Sequence, residues 1–326
     1  MDLLAYFASL NFMNLVKMLP SGVAQGVIWG LMALGVYITF RLLDVADLSV
    51  DGSFTTGGAV TVMLILAGCP AWLAIIIAML AGLCAGAVTG FLHTLLGIPA
   101  ILAGILTQFA LYSINLHIMG MAANKALSVD KYGIFLKNPG GMMLSSRFVP
   151  LAIIVGVVFA IIIVCILYWY FGTEQGSALR ATGCNPIMAK AQGININFMK
   201  VLGLAISNAL VALAGGLMAQ YQGFADINMG RGSIVIGLAA VIIGEVLGEA
   251  ILGKRLNFMS RLFFIVVGGI IYYLVVQVVL WLKLNSNDLK LFTAIIVAVF
   301  LAVPYIKAKS RSSFAKAGKK GAQINA

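Results

Sequence analysis

Charge is what this sequence has least of. Only 10% of its 326 residues are Asp, Glu, Lys or Arg, while 62% are apolar and the mean hydropathy is +1.07. A water-soluble domain carries about a quarter charged residues because its surface must meet water, so a soluble globular protein is excluded. Histidine occurs twice, as His93 and His117, far apart and with no acid partner or metal-ligand spacing, which leaves both a structural role. The four cysteines (Cys69, Cys84, Cys165, Cys184) show no paired spacing, which excludes a disulfide framework. They read as packing residues, since a reduced thiol behaves as a small hydrophobe. No nucleophile motif, phosphate loop or metal cluster is present. No catalytic or metal-binding residue and no cofactor of the chain's own is therefore expected, and the chain reads as a non-enzyme. The start, Met1-Asp2-Leu3, lacks the basic region of a secretory signal.

What is present is apolar sequence in long runs. Cut at proline, charge and polar clusters, they cover residues 21–40, 54–68, 71–96, 98–121, 148–171, 198–222, 234–252, 262–282 and 289–306. At about 20 residues per crossing, this predicts an all-α, polytopic membrane protein with about nine transmembrane helices. Residues 1–19 read as an interfacial N-terminal helix, 20–306 as the transmembrane domain and 307–326 as a basic cytosolic tail. The net charge of +11 would suggest nucleic acid in a soluble protein. Here the basic residues sit at the ends of apolar runs and in the tail, where they act as topology signals instead. With the tail inside, 13 Lys/Arg face the cytoplasm and eight face out. The polar stretch 173–197 then faces inward, and the loop 122–147, with its Asn138-Pro139-Gly140-Gly141 turn, faces outward.

Asp51-Gly52-Ser53-Phe54-Thr55-Thr56-Gly57 and Arg231-Gly232-Ser233-Ile234-Val235-Ile236-Gly237 share the pattern Gly-Ser-x-x-x-Gly at an offset of 180. Nearly the same offset lays run 21–40 on run 198–222. Four spans, one linker span (148–171) and four more spans follow, and an odd linker inverts the second set, as in many transporters. Residues 41–53 and 223–233 are too polar to cross lipid and too hydrophobic for plain loops. They read either as broken helices facing a transport path or as loops at opposite membrane faces. The path candidates are Asp47, Asp51, Gly52, Ser53, Asn228, Gly232 and Ser233, with Ser53 and Ser233 positioned to cap the following helices and leave a positive dipole end exposed there. Glu245, near mid-span, joins them as either an ion-paired residue or a proton carrier. Glu249 is expected to pair with Lys254 and Arg255.

Residues 173–195 read as two short helices with a tight turn. Gly183 ends the first, Asn185 caps the second, Pro186 takes its first position and Gly193 closes it. The segment is either a docking knob for another protein or a surface hairpin.

Leu179-Arg180-Ala181-Thr182-Gly183-x-Asn185-Pro186-x-x-Ala189, followed by Gly193-Ile194, resembles the cytosolic coupling segment of the branched-chain amino acid and ribose permease family of bacterial ABC importers. Asp47-Leu48-Ser49-Val50-Asp51-Gly52-Ser53-Phe54 and Gly237-Leu238-Ala239-Ala240-Val241-Ile242-Ile243-Gly244 are similar to two further landmarks of that family, and the resemblance covers about residues 20–305. It implies the type II importer permease fold in the bacterial cytoplasmic membrane. It also implies a homodimer with the path at its interface, two cytosolic ATPase subunits that bind ATP and Mg, an extracytoplasmic binding protein or lipoprotein, surrounding lipid, and no nucleic acid. Glu174, Leu179, Arg180, Gly183, Asn185, Pro186, Ala189 and Gly193 would then make up the ATPase-coupling set. Where the family commonly has a second glycine this chain has Glu245. That Gly-Glu variant, with Val50-Asp51-Gly52-Ser53, is similar to a less-studied branch thought to carry amino acids, aromatic ones included. The rival expectations are an ion-coupled carrier using Glu245, a permease for a sugar or nucleoside, and a component without a path. A stand-alone carrier has no reason to keep the knob.

Overall fold

The computed structural model describes residues 12–128, 149–253 and 256–281, together with positions 291, 294, 295, 298, 299 and 302. The helices are α1 (Phe12–Tyr37, prolonged by a wider π turn, Ile38–Leu42), α2 (Val50–Leu66), α3 (Ala71–Thr94), α4 (Ala100–Ile118), α5 (Val149–Gly172), α6 (Glu174–Cys184), α7 (Pro186–Ala191), α8 (Ile196–Gln222), α9 (Ser233–Leu252) and α10 (Phe258–Trp281). Two three-residue strands, β1 (Asn124–Ala126) and β2 (Phe224–Asp226), pair antiparallel with Lys125 opposite Ala225. Among the described residues, seven helices are long and apolar enough to cross a bilayer, and α2 is a shorter apolar helix. Eight of the nine expected runs therefore become helices, while run 289–306 falls largely outside the described residues and the tail 307–326 wholly so. No break separates an interfacial helix from the first span: α1 begins at Phe12 and continues through Pro20. A proline's missing N–H is tolerable in a membrane helix when neighbouring groups satisfy the freed carbonyl.

The two halves are inverted. Gly35 of α1 lies against Ser207 and Val211 of α8, and Leu43, just beyond α1, lies against Gly203, so the two helices run antiparallel. Both are central: 83% of the apolar window of each is buried, against 28% for α4 and α5, which places the latter pair at the periphery. The packing is reciprocal, with α1 against α9 and α10 and α8 against α2 and α3. Small residues permit this close approach. Gly82, Gly86 and Gly90 bring α3 onto Asn208, Leu204 and Val201 of α8, and Gly26 and Gly30 bring α1 onto Ile270 and Val266 of α10. In lipid, helices gain by dispersion contact when backbones come close, and glycine allows it. Trp29 stacks between Phe54 and Tyr273, at 4.7 and 5.6 Å between centroids, joining α1, α2 and α10.

Candidate functional site

Each half carries a non-helical stretch at a matched place. In the first half the break is residues 43–49. Leu43 fills the space left by Gly203, and Asp44 takes a left-handed φ of 54°. Asp47, 3% exposed, folds back over the start of α2, its Oδ1 accepting from the Ser49 N–H at 2.8 Å and its Oδ2 from Asn208 Nδ2 at 2.7 Å. Asn208 also donates to the Leu204 carbonyl at 3.0 Å. Asp47 is thus a buried link between the two halves, and its neighbours occupy both of its oxygens.

In the second half the break is residues 223–232. Gly223 ends α8 in the left-handed region (φ 77°), with its N–H on the Ala219 carbonyl at 2.9 Å. The Asn228 N–H donates to Asp226 Oδ1 at 2.7 Å, and Gly232, φ 83°, turns the chain into α9. The N-terminus of α9 is not free and Ser233 does not cap it. Asp51, in the first turn of α2, does: Oδ2 accepts from the Gly232 N–H at 2.9 Å, and Oδ1 accepts from the Ile234 N–H at 3.0 Å and from Ser233 Oγ at 2.8 Å. A carboxylate there satisfies N–H groups with no partner in their own helix and opposes the positive end of the helix dipole. Thr55 adds an acceptor for the Gly230 N–H at 3.2 Å.

Ser53 likewise caps nothing. Helix α2 starts at Val50 and not after Ser53, so Gly52 and Ser53 lie within its first turn, fully buried in the case of Ser53. The expectation of two matched helix-starting serines fails because the two repeats begin their second helices at different points of the shared motif.

Beside the junction of Asp51 with α9 is a cavity of about 270 Å³ lined by Asp51, Gly52, Thr55, Gln108, Phe109, Tyr112, Asn115, Ile227 and Arg231. Asn115 is 1% exposed; its Nδ2 reaches the Gly52 carbonyl at 3.4 Å and its Oδ1 has no partner. The cavity therefore offers a carboxylate, a guanidinium, two amides and two aromatic rings. Among the expected path residues only Asp51 and Gly52 line it. Asn228 is exposed beside it on the chain, and Gly232 and Ser233 touch it only through Asp51. Glu245 lies about 18 Å along α9 from Ser233 and is paired with Arg41 on the π turn, Nε to Oε1 at 3.0 Å. Glu249's expected partners, Lys254 and Arg255, lie outside the described residues. Sequence reasoning missed Gln108, Phe109, Tyr112, Asn115 and Arg231 as lining residues. A signal was available in Gln108 and Asn115, two amides seven residues apart, hence on one helix face, inside an otherwise apolar run.

The segment after α5 is built as its local chemistry demands. Thr173 accepts from the Gly176 N–H at 3.3 Å to start α6, and Asn185 accepts from the Met188 N–H at 3.1 Å to start α7, with Pro186 at its first position. Gly193 takes φ 81° after α7. Gly183 does not end α6; it lies inside it, and a side chain there would strike the Leu42 carbonyl. Leu179 (0% exposed) and Ala189 (3%) face the protein, so neither presents a surface to a partner. Arg180 also turns inward, donating from Nη2 to the Phe171 carbonyl at 3.0 Å and lying 5.5 Å over the Phe258 ring. Glu174, Asn185, Pro186 and Gly193 are exposed, and with them Ile187 and Met188 at 82% and 58%, two apolar side chains at the tip that the motif passes over.

His93 Nδ1 lies 2.8 Å from the Ile98 carbonyl, so that nitrogen carries the proton and Nε2, 3.2 Å from Lys200 Nζ, accepts. The cysteines are free, and Cys84, Cys165 and Cys184 are exposed on the chain's surface, so three of the four do not pack inside it.

Backbone that leaves the helical path at membrane depth survives only where protein or water covers it. Here the non-helical stretches 43–49 and 223–232 fall at matched places in two halves of opposite orientation, the pattern of a multi-pass transport permease built on an inverted repeat. Residues 18–304 match the family model described as branched-chain amino acid transport system / permease component, and the chain belongs to that family of ABC-importer permeases of the bacterial inner membrane. It is 39% identical over 296 residues, 91% of this chain and 94% of the relative, to a tyrosine transport system permease protein of Clostridioides difficile. An uncharacterised protein of Rickettsia prowazekii is 34% identical over 88% of this chain and 98% of its own length. A ribose import permease protein of Haemophilus influenzae is 25% identical over 79% of this chain and 74% of the relative. No solved structure matches.

Proposed function

We propose that this chain is the membrane-spanning subunit of an importer for an amino acid, most simply an aromatic one. In this reading it works as a homodimer with two ATPase subunits and an extracytoplasmic binding protein. The observation that carries the substrate is the 39% identity, over nearly the whole of both chains, to a permease named for tyrosine. The cavity supports it chemically: Arg231 and Asp51 complement a carboxylate and an ammonium, and Phe109 and Tyr112 supply faces for a ring.

The coupling follows a continuous line of contacts. An ATPase docked on the exposed Asn185, Pro186, Ile187 and Met188 would press α6, whose Gly183 and Leu179 lie against Leu42, Leu43 and Gly203. Leu43 opens the break that leads through Asp47 to α2, and α2 carries Asp51, which holds the start of α9. Displacement of the knob would thus move both breaks and the cavity between them. ATP and Mg belong to the ATPase. Glu245, held by Arg41, is a structural residue in this reading rather than a proton carrier.

The test is uptake into vesicles containing this chain, its ATPase and the loaded binding protein, with labelled tyrosine, leucine and ribose compared. ATP-dependent tyrosine uptake exceeding both others is expected. Ribose uptake with no amino-acid uptake would overturn the substrate, and uptake driven by a pH gradient without ATP would overturn the class of coupling.

A further inference from the structure

A second, larger cavity has no part in that reading. It is a groove of about 1340 Å³ between α5 and α10, floored by Val27 of α1 and open to the side. Its length is apolar, with Val157, Ile161, Val164, Val266 and Ile270 along it, and polar residues, Thr173, Arg180, Asn257 and Ser260, gather at the end next to α6. Between Val157 and Thr173, α5 rises about 24 Å, longer than the roughly 15 Å of hydrocarbon in one leaflet. At the polar end Tyr168 and Trp169 stand 51% and 72% exposed, the residue types that settle at headgroup level.

Arg180 is the telling residue. Its Nη2 and one face of its guanidinium are engaged within the chain, but its Nε is buried with no hydrogen-bond partner. Among the described residues the sole ion pair is Arg41 with Glu245, so no carboxylate neutralises it. A half-buried guanidinium without a counterion is costly, and its fork of donors matches a phosphate.

We propose that the groove binds one anionic phospholipid, with an acyl chain along α5 and α10 and the phosphate on Arg180. Charge selects this occupant. Residues 282–326 hold eight Lys/Arg against a single acid, Asp288, and the apolar run 289–306 holds no acid at all, so the chain's own end offers Arg180 almost no counterion. A second copy would bring the same net charge of +11. A lipid supplies both the anion and the apolar length. Because Arg180 belongs to α6, the lipid braces the knob against α5 and α10 and makes coupling depend on headgroup charge; that consequence rests on the proposed coupling, whereas binding itself does not.

The full-length protein, purified in mild detergent, is exchanged into mixtures of phosphatidylglycerol and phosphatidylcholine, and retained lipid is read by native mass spectrometry. Phosphatidylglycerol should be retained over phosphatidylcholine, and Arg180→Gln should lower that preference about fivefold. Arg180→Lys should keep part of it. Ile161→Trp, which fills the groove from an exposed lining position without touching the charge, should reduce retention of both lipids, and serves if Arg180→Gln fails to elute as a folded species. A photoactivatable phosphatidylglycerol should label peptides of α5 and α10. Equal retention of the two lipids by the parent protein, unchanged preference in Arg180→Gln, or a photocrosslinker at Cys165 that captures residues 282–306 or a second copy would each overturn the proposal. Loss of headgroup preference with ATP-dependent uptake intact would confirm the site while removing its role in coupling.

Discussion

The two breaks share a motif and an offset of 180, yet they are built differently. At residue 51 the chain has an acid and is already helical; at residue 231 it has a base and is still turning. The acid of the first half therefore serves the helix of the second, while the start of α2 is held by Asp47, five residues before the first glycine of the shared motif. An inverted repeat gives two similar frames, but Asp51 and Arg231, at matched positions of the two motifs, line a single cavity, so symmetry is given up there.

Substituting the two motif glycines should separate the halves most sharply. A side chain at Gly52 would stand 2.9 Å from Leu111, inside a packed interface, whereas one at Gly232 meets nothing within 4 Å. Gly52→Leu should prevent recovery of folded protein on size exclusion, overpacking costing about 3 kcal/mol or more there. Gly232→Leu should still assemble, with strain of about 1–2 kcal/mol from its left-handed φ, and reduced uptake. Equal behaviour of the two would mean that the halves are more alike than their packing.

Truncation within the knob comes next. Leu179→Ala should cost about 2–5 kcal/mol of stability, read as earlier thermal aggregation. Ile187→Ser with Met188→Ser should leave stability unchanged and weaken ATPase pull-down. If the exposed pair proved neutral in pull-down, the docking face would lie elsewhere.

Asp51→Ala sharpens the contrast at the cap. Losing the shared carboxylate should destabilise the protein by about 1–2 kcal/mol, with Asp51→Asn costing less and Arg231→Gln almost nothing. A larger loss from Arg231→Gln than from Asp51→Ala would reverse the assigned roles. The smallest effect is expected from Glu245→Gln, about 0–1 kcal/mol for a partly exposed ion pair, with ATP-driven uptake and its pH profile unchanged. A shifted profile would return Glu245 to the path.

The two short helices of the knob and the capped turn between them were legible from sequence. Asn185, Pro186 and Gly193 act on residues within a turn of themselves, so the same local chemistry operates wherever the segment sits. The side of α6 that Leu179 and Arg180 present was not legible, because it depends on where α5 and α10 pass. Likewise Ser53 and Ser233 carried a capping pattern, but a competing acceptor 182 residues from Ser233 in sequence took the role.

That this chain enters a bilayer, that its halves are inverted and where its helices are interrupted could be read before any fold was known, because composition, hydropathy and a repeated motif are properties of short stretches of chain. Which polar and charged groups pair came from the packing of distant helices. Asp51 reaches α9, Asp47 reaches Asn208 and Arg41 reaches Glu245 across separations of 161 to 204 residues. Those pairings are set by how close glycine lets α1 and α8 approach their neighbours, and no local periodicity records that geometry.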